Sequence, residues 1–452
     1  MNGPAIRRGA WLIACWFLAA TGAFANSNYV VIISIDGLRP EFCVPGEMSA
    51  VCETLTGLRE AGSYAKGAMP PYPSMTYPGH STIVTGVNPA RHGVIANSTW
   101  ELPATEGRGF WFARDLEAPA IWDAAHEAGL TVGAVMWPVT VESKNIDWNL
   151  PELWTTPLGR ELDMIRRYAT SGLLSNIEAR TGAMAHDEAA KWDEFITQAA
   201  AYILREHKPN LMFVHLLESD KTQHAGGRGA AELPAVMRRI DGDVFELIEA
   251  TKKAGTFERT TFIVLGDHGF ADIQKALAPN VILVKEGFLT LAGERVTDWK
   301  AVVRNTGGSA AVFLRDPKDT TTAVKVRTAL EKGGRDKAGK PLYRVVPKDE
   351  LVKLGGPGEA AFYLEAEPGY MFSGSVTGDE VVRESKLKGN HGFLPTKPDL
   401  HTGFIASGRG IKKGVALDVI RLADVAPTVA VLLGIKMGNT DGRVLREILE
   451  AP

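Results

Sequence analysis

The sequence predicts an α/β protein built on a doubly wound, mostly parallel sheet. Three apolar, β-branched runs have the composition of strands buried on both faces, and helix-like segments lie between them. Strands that alternate with helices favour a parallel sheet, in which ligands bind beyond the carboxyl ends of the strands. After about residue 275 the pattern changes to short strands around one helix, which predicts an inserted, smaller α+β subdomain.

The composition is that of a globular protein and excludes several classes. The 452 residues are 45% hydrophobic and 23% charged, with a formal net charge of −3. A charge so close to neutral argues against a protein that neutralises many phosphates, so we expect no binding to nucleic-acid duplexes. The apolar content excludes a disordered chain, and three cysteines are too few for a disulfide scaffold.

The first 25 residues are typical of a secretory signal peptide. Two arginines precede the apolar run 11–20, and a small-residue cleavage site follows at residues 23–25. The run is shorter than the roughly 20 apolar residues that a membrane-spanning helix needs, and no second run follows. We therefore expect a secreted or periplasmic protein without a transmembrane segment after cleavage near Ala25. The alternative is a lipoprotein attached through Cys15.

Two cysteines, Cys43 and Cys52, remain after the leader and enclose a short loop. An oxidising compartment would allow them to form a disulfide, which contributes about 2.5–3 kcal/mol by chain entropy for a loop of this size. The alternative is two separate thiols.

The elements of the main sheet follow in chain order. Strands are predicted at residues 29–35, 210–217 and 261–265, and helices at 118–128, 188–206 and 234–254. In the insertion, strands at 310–314 and 343–346 flank a helix at 321–332. The main sheet resumes with a strand at 401–406, and helices follow at 422–433 and 444–449. The predicted organisation is a signal peptide at 1–25, a main domain at 26–274 and 389–452, and the insertion at 275–388.

Acidic and histidine side chains follow the ends of these strands. They are Asp36, Asp220, His224, Asp267, His268 and His391. Any one of them alone is more often a helix cap or a turn residue. Three carboxylates at one sheet edge raise one another's pKa unless cations neutralise them. Carboxylates with imidazoles suit Zn²⁺, and six such ligands divide into two three-ligand sites with open positions.

Thr76 is the candidate nucleophile. Pro78 suits the first turn of a helix that runs towards Thr85, and this places Thr76 at or just before the helix N-terminus. Free backbone N–H groups and the helix dipole favour an anion there. A hydroxyl coordinated to Zn²⁺ has a lowered pKa and attacks as an alkoxide. The alternative is that Thr76 is only an N-cap.

Taken together, these motifs resemble those of the type I phosphodiesterase/nucleotide pyrophosphatase family, which includes the ectonucleotide pyrophosphatase/phosphodiesterases and belongs to the alkaline phosphatase superfamily. The resemblance rests on residues 35–40, 76–86, 88–97, 220–224, 266–269 and 390–392, in that order. It extends from about Tyr29 to Leu449. It implies a sheet of the alkaline phosphatase type and gives the insertion the place of a cap subdomain.

The resemblance also implies a site. One zinc ion takes Asp36, Asp267 and His268 and touches the Thr76 hydroxyl, and the other takes Asp220, His224 and His391. Thr76 attacks phosphorus in line to form a phospho-threonine, which water on the second zinc hydrolyses. Asn97 matches the position that hydrogen-bonds a non-bridging phosphate oxygen, helped by the backbone N–H of Tyr77.

The function that follows is that of an exported two-zinc hydrolase acting on small phosphodiesters or pyrophosphates, with other divalent metals as alternatives for zinc. A phosphomonoesterase or phosphonate hydrolase using the same site is the second reading. A secreted binding protein without catalysis is a third, but it predicts the loss of a ligand, and none is missing. A sulfatase is less favoured, because sulfatases carry Pro-x-Arg after the nucleophile and this chain has Pro78-Gly79-His80. A cofactor-independent phosphoglycerate mutase is also disfavoured, because export would separate the enzyme from its metabolite.

Departures from the family concern the substrate. Nucleotide-cleaving members carry an aromatic residue five positions before the first Asp of the Asp-x-x-x-His motif, and His215 stands there, which puts a stacked nucleobase in doubt. Tyr77 still supplies an aromatic wall, while the aromatics at 110–112 and 136–137 are predicted to be core. Relatives that hydrolyse monoesters place extra Lys or Arg at the phosphate. The nearby candidates, Lys144 and Arg39, are predicted on solvated faces.

The other histidines are not assigned to a metal. We expect His80 and His92 to be structural or to support the ligands. No role is predicted for His126, His186, His207 and His401.

Overall fold

The computed structural model describes residues 28–103, 107–154, 161–182 and 189–451. The predicted signal peptide, Cys15 and His186 lie outside these residues. Among the described helices, none is both long enough and apolar enough to cross a membrane.

The first part of the chain alternates strands and helices. In order, the elements are β1 (Tyr29–Ile35), α1 (Glu53–Ala61), β2 (Ser63–Met69), α2 (Thr76–Thr85), α3 (Pro89–His92), α4 (Ile121–Glu127), β3 (Val132–Val135), β4 (Trp148–Leu150), α5 (Glu161–Tyr168), α6 (Leu173–Thr181), α7 (Ala189–Glu206), β5 (Leu211–Leu216), α8 (Glu218–Gly226), α9 (Leu233–Ala254) and β6 (Thr260–Leu265).

The second part is richer in short strands. It contains β7 (Ala271–Leu277), α10 (Asn280–Lys285), β8 (Leu289–Ala292), β9 (Arg295–Trp299), β10 (Ala301–Asn305), β11 (Ser309–Leu314), α11 (Thr320–Gly333), β12 (Tyr343–Val346), α12 (Lys348–Lys353), β13 (Phe362–Ala366), β14 (Gly369–Phe372), β15 (Val382–Glu384), β16 (Gly389–Asn390), β17 (Phe404–Gly408), β18 (Val415–Arg421) and α13 (Val425–Leu433).

An eight-stranded sheet forms the centre, in the order β18-β2-β17-β6-β1-β5-β3-β4. All neighbours are parallel except β17, which runs antiparallel to both β2 and β6. Alternate residues of β1 enter different cores: Val31 and Ile33 pack with α7 and α9, whereas Val30 and Ile32 pack with α4 and α13. Because helices cover both faces, β1 needs apolar residues throughout. The predicted doubly wound fold is confirmed.

The insertion has its own sheets. Four antiparallel strands pair in the order β10-β11-β13-β12, and β7 pairs with β14, β15 and β16. Their apolar residues form a separate core with α11. The domain boundary predicted at residue 275 falls within β7.

Most elements lie within a few residues of their predicted positions, with one correction near the C-terminus. The helix predicted at 444–449 is wrong, since Arg446–Ile448 forms only one 3₁₀ turn. The Leu445 N–H donates to Thr428 Oγ1 at 2.9 Å, and Leu449 pairs with Ile411 in a β-bridge. These backbone groups therefore bond to neighbouring elements instead of to a helix of their own.

The predicted disulfide between Cys43 and Cys52 is also absent from the described structure, where both thiols are free and buried. Their sulfur atoms face different neighbours. Cys52 Sγ lies 3.8 Å from the Met237 carbonyl oxygen on α9, whereas Cys43 Sγ packs against the backbone at Gly403. Burial raises the pKa of the Cys52 thiol to about 12 and that of Cys43 further still. The structure matches the alternative of two separate thiols.

Candidate metal centre and active site

The site lies at the carboxyl ends of three adjacent strands. Asp36 directly follows β1, Asp267 follows β6, and Asp220 lies on α8, just after β5. Because β1 pairs with both β5 and β6 in parallel, the three carboxylates converge at one edge of the sheet.

One group of ligand candidates contains Asp36, Asp267 and His268. His268 Nε2 lies 3.3 Å from Asp36 Oδ1 and 3.2 Å from Asp267 Oδ2. The other oxygen of Asp267, Oδ1, accepts a hydrogen bond from the Gly37 N–H at 3.1 Å. Ligand atoms of Asp36, Asp220 and His268 lie within 4.8 Å of one another, so Asp220 borders this group as well.

The second group contains Asp220, His224 and His391. The first two lie four residues apart on one face of α8, and His391 follows β16. His224 Nε2 is 3.4 Å from Asp220 Oδ2, and His391 Nε2 is 3.7 Å from Asp220 Oδ1. The rings of His268 and His391 stack with centroids 3.7 Å apart, which makes the two groups contiguous.

The donor atoms of these groups fit divalent metal ions. Asp36 Oδ1, Asp220 Oδ1 and Asp267 Oδ2 are buried and have no hydrogen-bond partner among the described residues. Burial, together with repulsion from Asp267 and Asp220, raises the pKa of Asp36 well above its usual range. Buried carboxylate oxygens without donors need a proton or a cation, and the adjacent imidazoles suit a cation such as Zn²⁺.

Backbone carbonyl groups hold all three imidazoles in one tautomer. The Nδ1–H of His224 donates to the Gly389 carbonyl at 3.0 Å, that of His268 to Gly269 at 3.1 Å, and that of His391 to Ser74 at 3.1 Å. Each Nε2 lone pair is then free to face the cluster. Burial and the two neighbouring imidazoles lower the pKa of His391 well below its usual value, which keeps it neutral.

His391 is held from two sides. The Gly392 N–H donates to the Ser74 carbonyl at 2.8 Å, and the Gly308 N–H in the turn between β10 and β11 donates to the His391 carbonyl at 2.8 Å. A Cβ atom at Gly392, where φ is +80°, would lie 1.7 Å from the Thr306 carbonyl oxygen. The close approach of the insertion therefore requires glycine at this position.

Thr76 lies at the N-terminus of α2, beside the first group. It is the first helical residue, and Met75 occupies the N-cap position. The Thr76 Oγ1 lies 3.5 Å from His268 Nε2, and the residue is 8% exposed. The hydroxyl makes no capping hydrogen bond, so the alternative of a plain N-cap is not what the structure shows.

Asn97 and Tyr77 contact each other at the same helix end. The Tyr77 N–H donates to Asn97 Oδ1 at 3.0 Å. Since Oδ1 accepts this hydrogen bond, the Nδ2 donor of Asn97 remains for another partner. The Tyr77 ring is buried against Val94 and Val139, so it adds little aromatic surface to the site.

A cleft of about 470 Å³ opens over these residues. Outside the two ligand groups, it is lined by Thr76, Tyr77, Asn97, Ser98, Gly107, Arg108, Gly109, Trp111, Glu152 and Trp154. Arg108 forms a bidentate ion pair with Asp115 and is the only Lys or Arg among the cleft-lining residues that the structure describes. Neither Lys144 nor Arg39 belongs to this lining. Lys144 is exposed as predicted, but Arg39 is buried and donates to the Arg228 carbonyl.

Of the aromatics predicted to be core, Trp111 lines the cleft instead, whereas the described histidines outside the ligand groups lie away from it. Trp137 is core and packs against His80, which bonds the Thr76 carbonyl through Nδ1 at 2.8 Å. His80 Nδ1 also lies 3.7 Å from Asp267 Oδ2, so His80 contacts both the nucleophile candidate and a ligand candidate. His92, on α3, contacts the Thr82 Oγ1 of α2 at 3.0 Å.

His215 and Glu152 were missed as site residues. His215 is fully buried and does not reach the cleft, so its identity says nothing about base stacking. Its Nε2 lies 3.3 Å from Asp36 Oδ2, and its Nδ1 lies 2.7 Å from Glu152 Oε2. Burial alone would lower the pKa of His215, but Glu152 and Asp36 raise it well above its usual value. Glu152 follows β4, and recognising this three-residue strand would have placed it at the same sheet edge.

The chain is similar to a known family and to several of its members. The family model for type I phosphodiesterase/nucleotide pyrophosphatase matches residues 30–394. The mouse ectonucleotide pyrophosphatase/phosphodiesterase family member 7 is 24% identical over 446 residues, which cover 95% of this chain and 90% of that protein. An uncharacterized pyrophosphatase/phosphodiesterase from Schizosaccharomyces pombe is 27% identical over 259 residues, but the match covers 55% of this chain and only 47% of that protein.

Solved structures show the same fold at low sequence identity. Human ectonucleotide pyrophosphatase/phosphodiesterase 5 superposes with a TM-score of 0.66 at 19% identity, covering 94% of this chain and all of that chain. An inactive murine counterpart, in which a threonine is replaced by alanine, was solved in complex with AMP. It gives a TM-score of 0.67 at 19% identity and covers 94% of this chain.

Proposed function

Because the chain belongs to the type I phosphodiesterase/nucleotide pyrophosphatase family of hydrolases, we propose that it hydrolyses small phosphodiesters or pyrophosphates through Thr76. The position of Thr76 carries this proposal. Its hydroxyl lies at a helix N-terminus, lines the cleft and is 3.5 Å from His268 Nε2, beside carboxylate oxygens that lack partners among the described residues.

The two ligand groups suit two divalent ions, which we propose to be zinc. Asp36, Asp267 and His268 would hold one ion, and Asp220, His224 and His391 the other. Bound metal supplies charge stabilisation for the attacking and leaving oxygens of a phosphoryl transfer. The neutral imidazole of His391 and the unpartnered carboxylate oxygens support the presence of bound cations.

Thr76 acts as the nucleophile in this mechanism. Its Oγ1 would lose its proton to solvent and attack phosphorus in line, the bond to the leaving group would break with its electron pair on the leaving-group oxygen, and a phospho-threonine would form. Water would then attack that phosphorus, the bond between phosphorus and Thr76 Oγ1 would break, and the phosphate product would leave as the hydroxyl is reprotonated. The carbonyl of Thr76 is held by His80, so the residue that carries the nucleophile is anchored before substrate arrives.

Asn97 would hold the phosphoryl group. The Tyr77 N–H orients the Asn97 amide, which leaves Nδ2 to donate to a non-bridging oxygen. The N-terminus of α2 adds a favourable field for the same anion. Tyr77 thus assists through its backbone, while Trp111 and Trp154 offer cleft-lining aromatic surface for the leaving group.

The pairing of Arg108 with Asp115 favours diesters over monoesters as substrates. A monoester dianion carries more charge on its terminal oxygens than a diester and is favoured by an unpaired cation. Arg108 is occupied by Asp115, and no other Lys or Arg is found among the described cleft residues. A phosphomonoesterase or phosphonate hydrolase remains the second candidate.

The test uses purified protein loaded with zinc. Turnover is measured on bis-p-nitrophenyl phosphate, p-nitrophenyl thymidine 5′-monophosphate and p-nitrophenyl phosphate. We expect Thr76→Ala to lower kcat at least about 10³-fold while zinc content stays unchanged, and Thr76→Ser to retain measurable turnover.

Thr82→Ala is the matched control, because this hydroxyl lies on the same helix but contacts His92 instead of the ligand candidates. Equal turnover by the parent and Thr76→Ala would refute Thr76 as the nucleophile. A preference for p-nitrophenyl phosphate would promote the monoesterase.

We also propose that the protein is exported. The support is the leader-like sequence at residues 1–25 and the ectonucleotide names of its relatives. Cell fractionation with N-terminal sequencing should find a chain that begins near Asn26 outside the cytoplasm. A cytoplasmic chain that retains residue 1 would contradict export.

A further inference from the structure

A chain of polar contacts runs from the cleft rim to the buried side of Asp36. It passes through the side chains of Trp154, Glu152, His215 and Asp36 in that order. Trp154 is 45% exposed, whereas both Glu152 and His215 are fully buried. None of the first three belongs to the two groups of ligand candidates.

The inner end of this chain contacts only one oxygen of Asp36. His215 Nε2 lies 3.3 Å from Asp36 Oδ2, while the other oxygen, Oδ1, faces His268 Nε2 at 3.3 Å. The Asp36 carboxylate therefore contacts both imidazoles. Its Oδ2 faces His215, and its Oδ1 faces the metal-ligand candidate His268. Rotation of the carboxylate out of this orientation would break the ion-pair contact with His215, so this contact opposes it.

The outer end fixes the His215 ring. Its Nδ1 donates to Glu152 Oε2 at 2.7 Å and also lies 3.1 Å from the Met136 carbonyl. The second Glu152 oxygen, Oε1, accepts a hydrogen bond from the Trp154 indole N–H. With both oxygens engaged, Glu152 holds the imidazole plane in one orientation.

We propose that Glu152 and His215 form a positioning relay that holds Asp36 Oδ1 towards the Asp36–Asp267–His268 metal site and so sets the metal affinity of that site. The inference rests on the proposed function for the presence of metal. It goes further in assigning a role to two residues that lie outside both groups of ligand candidates.

Zinc affinity tests the relay independently of hydrolysis. Competition with a chelator gives the two zinc affinities of the full chain, and His268→Ala and His391→Ala assign them to their sites. We expect Glu152→Gln and His215→Gln each to weaken the Asp36–Asp267–His268 site about 10–100-fold and to change the other site less than about threefold. In the double variant the losses should not add, because both residues act through one contact.

A purely structural role would produce a different result. His92→Gln removes another fully buried histidine, which bonds Thr82 and the Val94 N–H, and should lower the melting temperature without changing either zinc affinity. Trp154→Phe is the mild relay variant, since it removes only the indole donor at the exposed end. It should weaken the same site about two- to fivefold. At saturating zinc, His215→Gln should regain most of its lost kcat with KM unchanged.

Three outcomes separate the possibilities. Unchanged affinities in all relay variants, or equal losses at both sites, would overturn the relay while leaving the hydrolase intact. A parent that binds two zinc ions and shows the selective loss but hydrolyses none of the esters would overturn the proposed function alone. A parent that binds no zinc would overturn both.

Discussion

At Asn97, the orientation of one side chain follows from a single backbone donor. The Tyr77 N–H fixes Oδ1, and Nδ2 is left as the group available to a phosphate. The resemblance assigned both Asn97 and the Tyr77 N–H to the phosphate, whereas in the structure they bond to each other. The amide of Asn97 is therefore oriented before substrate binds.

We predict that Asn97→Asp will be at least as damaging as Asn97→Ala. Aspartate keeps an acceptor for the Tyr77 N–H but has no donor for phosphate, and it adds negative charge beside an anion. Both variants should lower kcat/KM by about 10²-fold or more. Steady-state kinetics on bis-p-nitrophenyl phosphate measure this, with the melting temperature as the control for folding. An Asn97→Asp enzyme with parental kcat/KM would exclude phosphate donation by Nδ2.

Single residues also show how far the site could be predicted. Asp36, Asp220 and Asp267 were recognisable because each follows an apolar run whose end is visible in the sequence. His215 lies within such a run, where the sequence shows a residue type but not which side chain it will meet. Its partner Glu152 lies 63 residues away, and their contact depends on the parallel pairing of strands that are not adjacent in the chain.

At the scale of elements, α8 is capped by a residue from another helix. Asp193 on α7 accepts hydrogen bonds from the Leu217 N–H at 2.7 Å and the Glu218 N–H at 3.0 Å. Because α8 carries Asp220, the carboxylate of Asp193 helps to place a metal-ligand candidate. Burial raises the pKa of Asp193 to about 7, although the two backbone donors oppose that shift.

We predict that this cap makes stability depend on pH. Burial also raises the pKa of neighbouring Asp243 to about 7, whereas an unfolded aspartate loses its proton near pH 4. Between these values the folded state binds more protons, so this pair makes the free energy of unfolding decrease as pH rises from about 4 to 7.

Urea unfolding of metal-free protein at several pH values measures this slope. Asp193→Asn, which removes one of the two titrating groups, should show a shallower decrease than the parent over the same range. A variant whose curve is only displaced, with the parental slope, would contradict the assignment.

Element predictions succeeded where length and pattern agreed. β1 and β6 were identified because buried parallel strands are continuously apolar. β4 is too short to show a pattern, and residues 444–449 have a helical composition but bond to α13 and Ile411. Local propensity decides such short segments less than the partners that the fold brings to them.

For the whole molecule, the buried carboxylates predict that stability depends on bound metal. Asp36, Asp220 and Asp267 converge at one edge of the sheet, and burial disfavours their charged forms. For Asp267 the neighbouring imidazoles and the Gly37 N–H outweigh burial and lower its pKa, so this carboxylate stays charged. An ion that binds only the folded state stabilises it by about 2.7 kcal/mol at a free concentration 100 times its Kd.

We predict that removal of metal lowers the melting temperature by several degrees. Scanning calorimetry before and after treatment with a chelator should show the decrease, and added Zn²⁺ should reverse it. Asp220→Ala should reduce the response, because this carboxylate borders both ligand groups. A melting temperature that is insensitive to both chelator and zinc would argue against a metal centre.

The contact between the β10–β11 turn and His391 bears on how this protein could be redesigned. An insertion that only covered a cleft could be exchanged between relatives as a cassette, in order to alter which substrates enter. Here the turn contributes the Gly308 N–H to the backbone of a ligand candidate, and Gly392 is packed against Thr306 with no room for a side chain. Shortened or chimeric versions therefore have to preserve the turn and that glycine together, whatever else in the insertion is replaced.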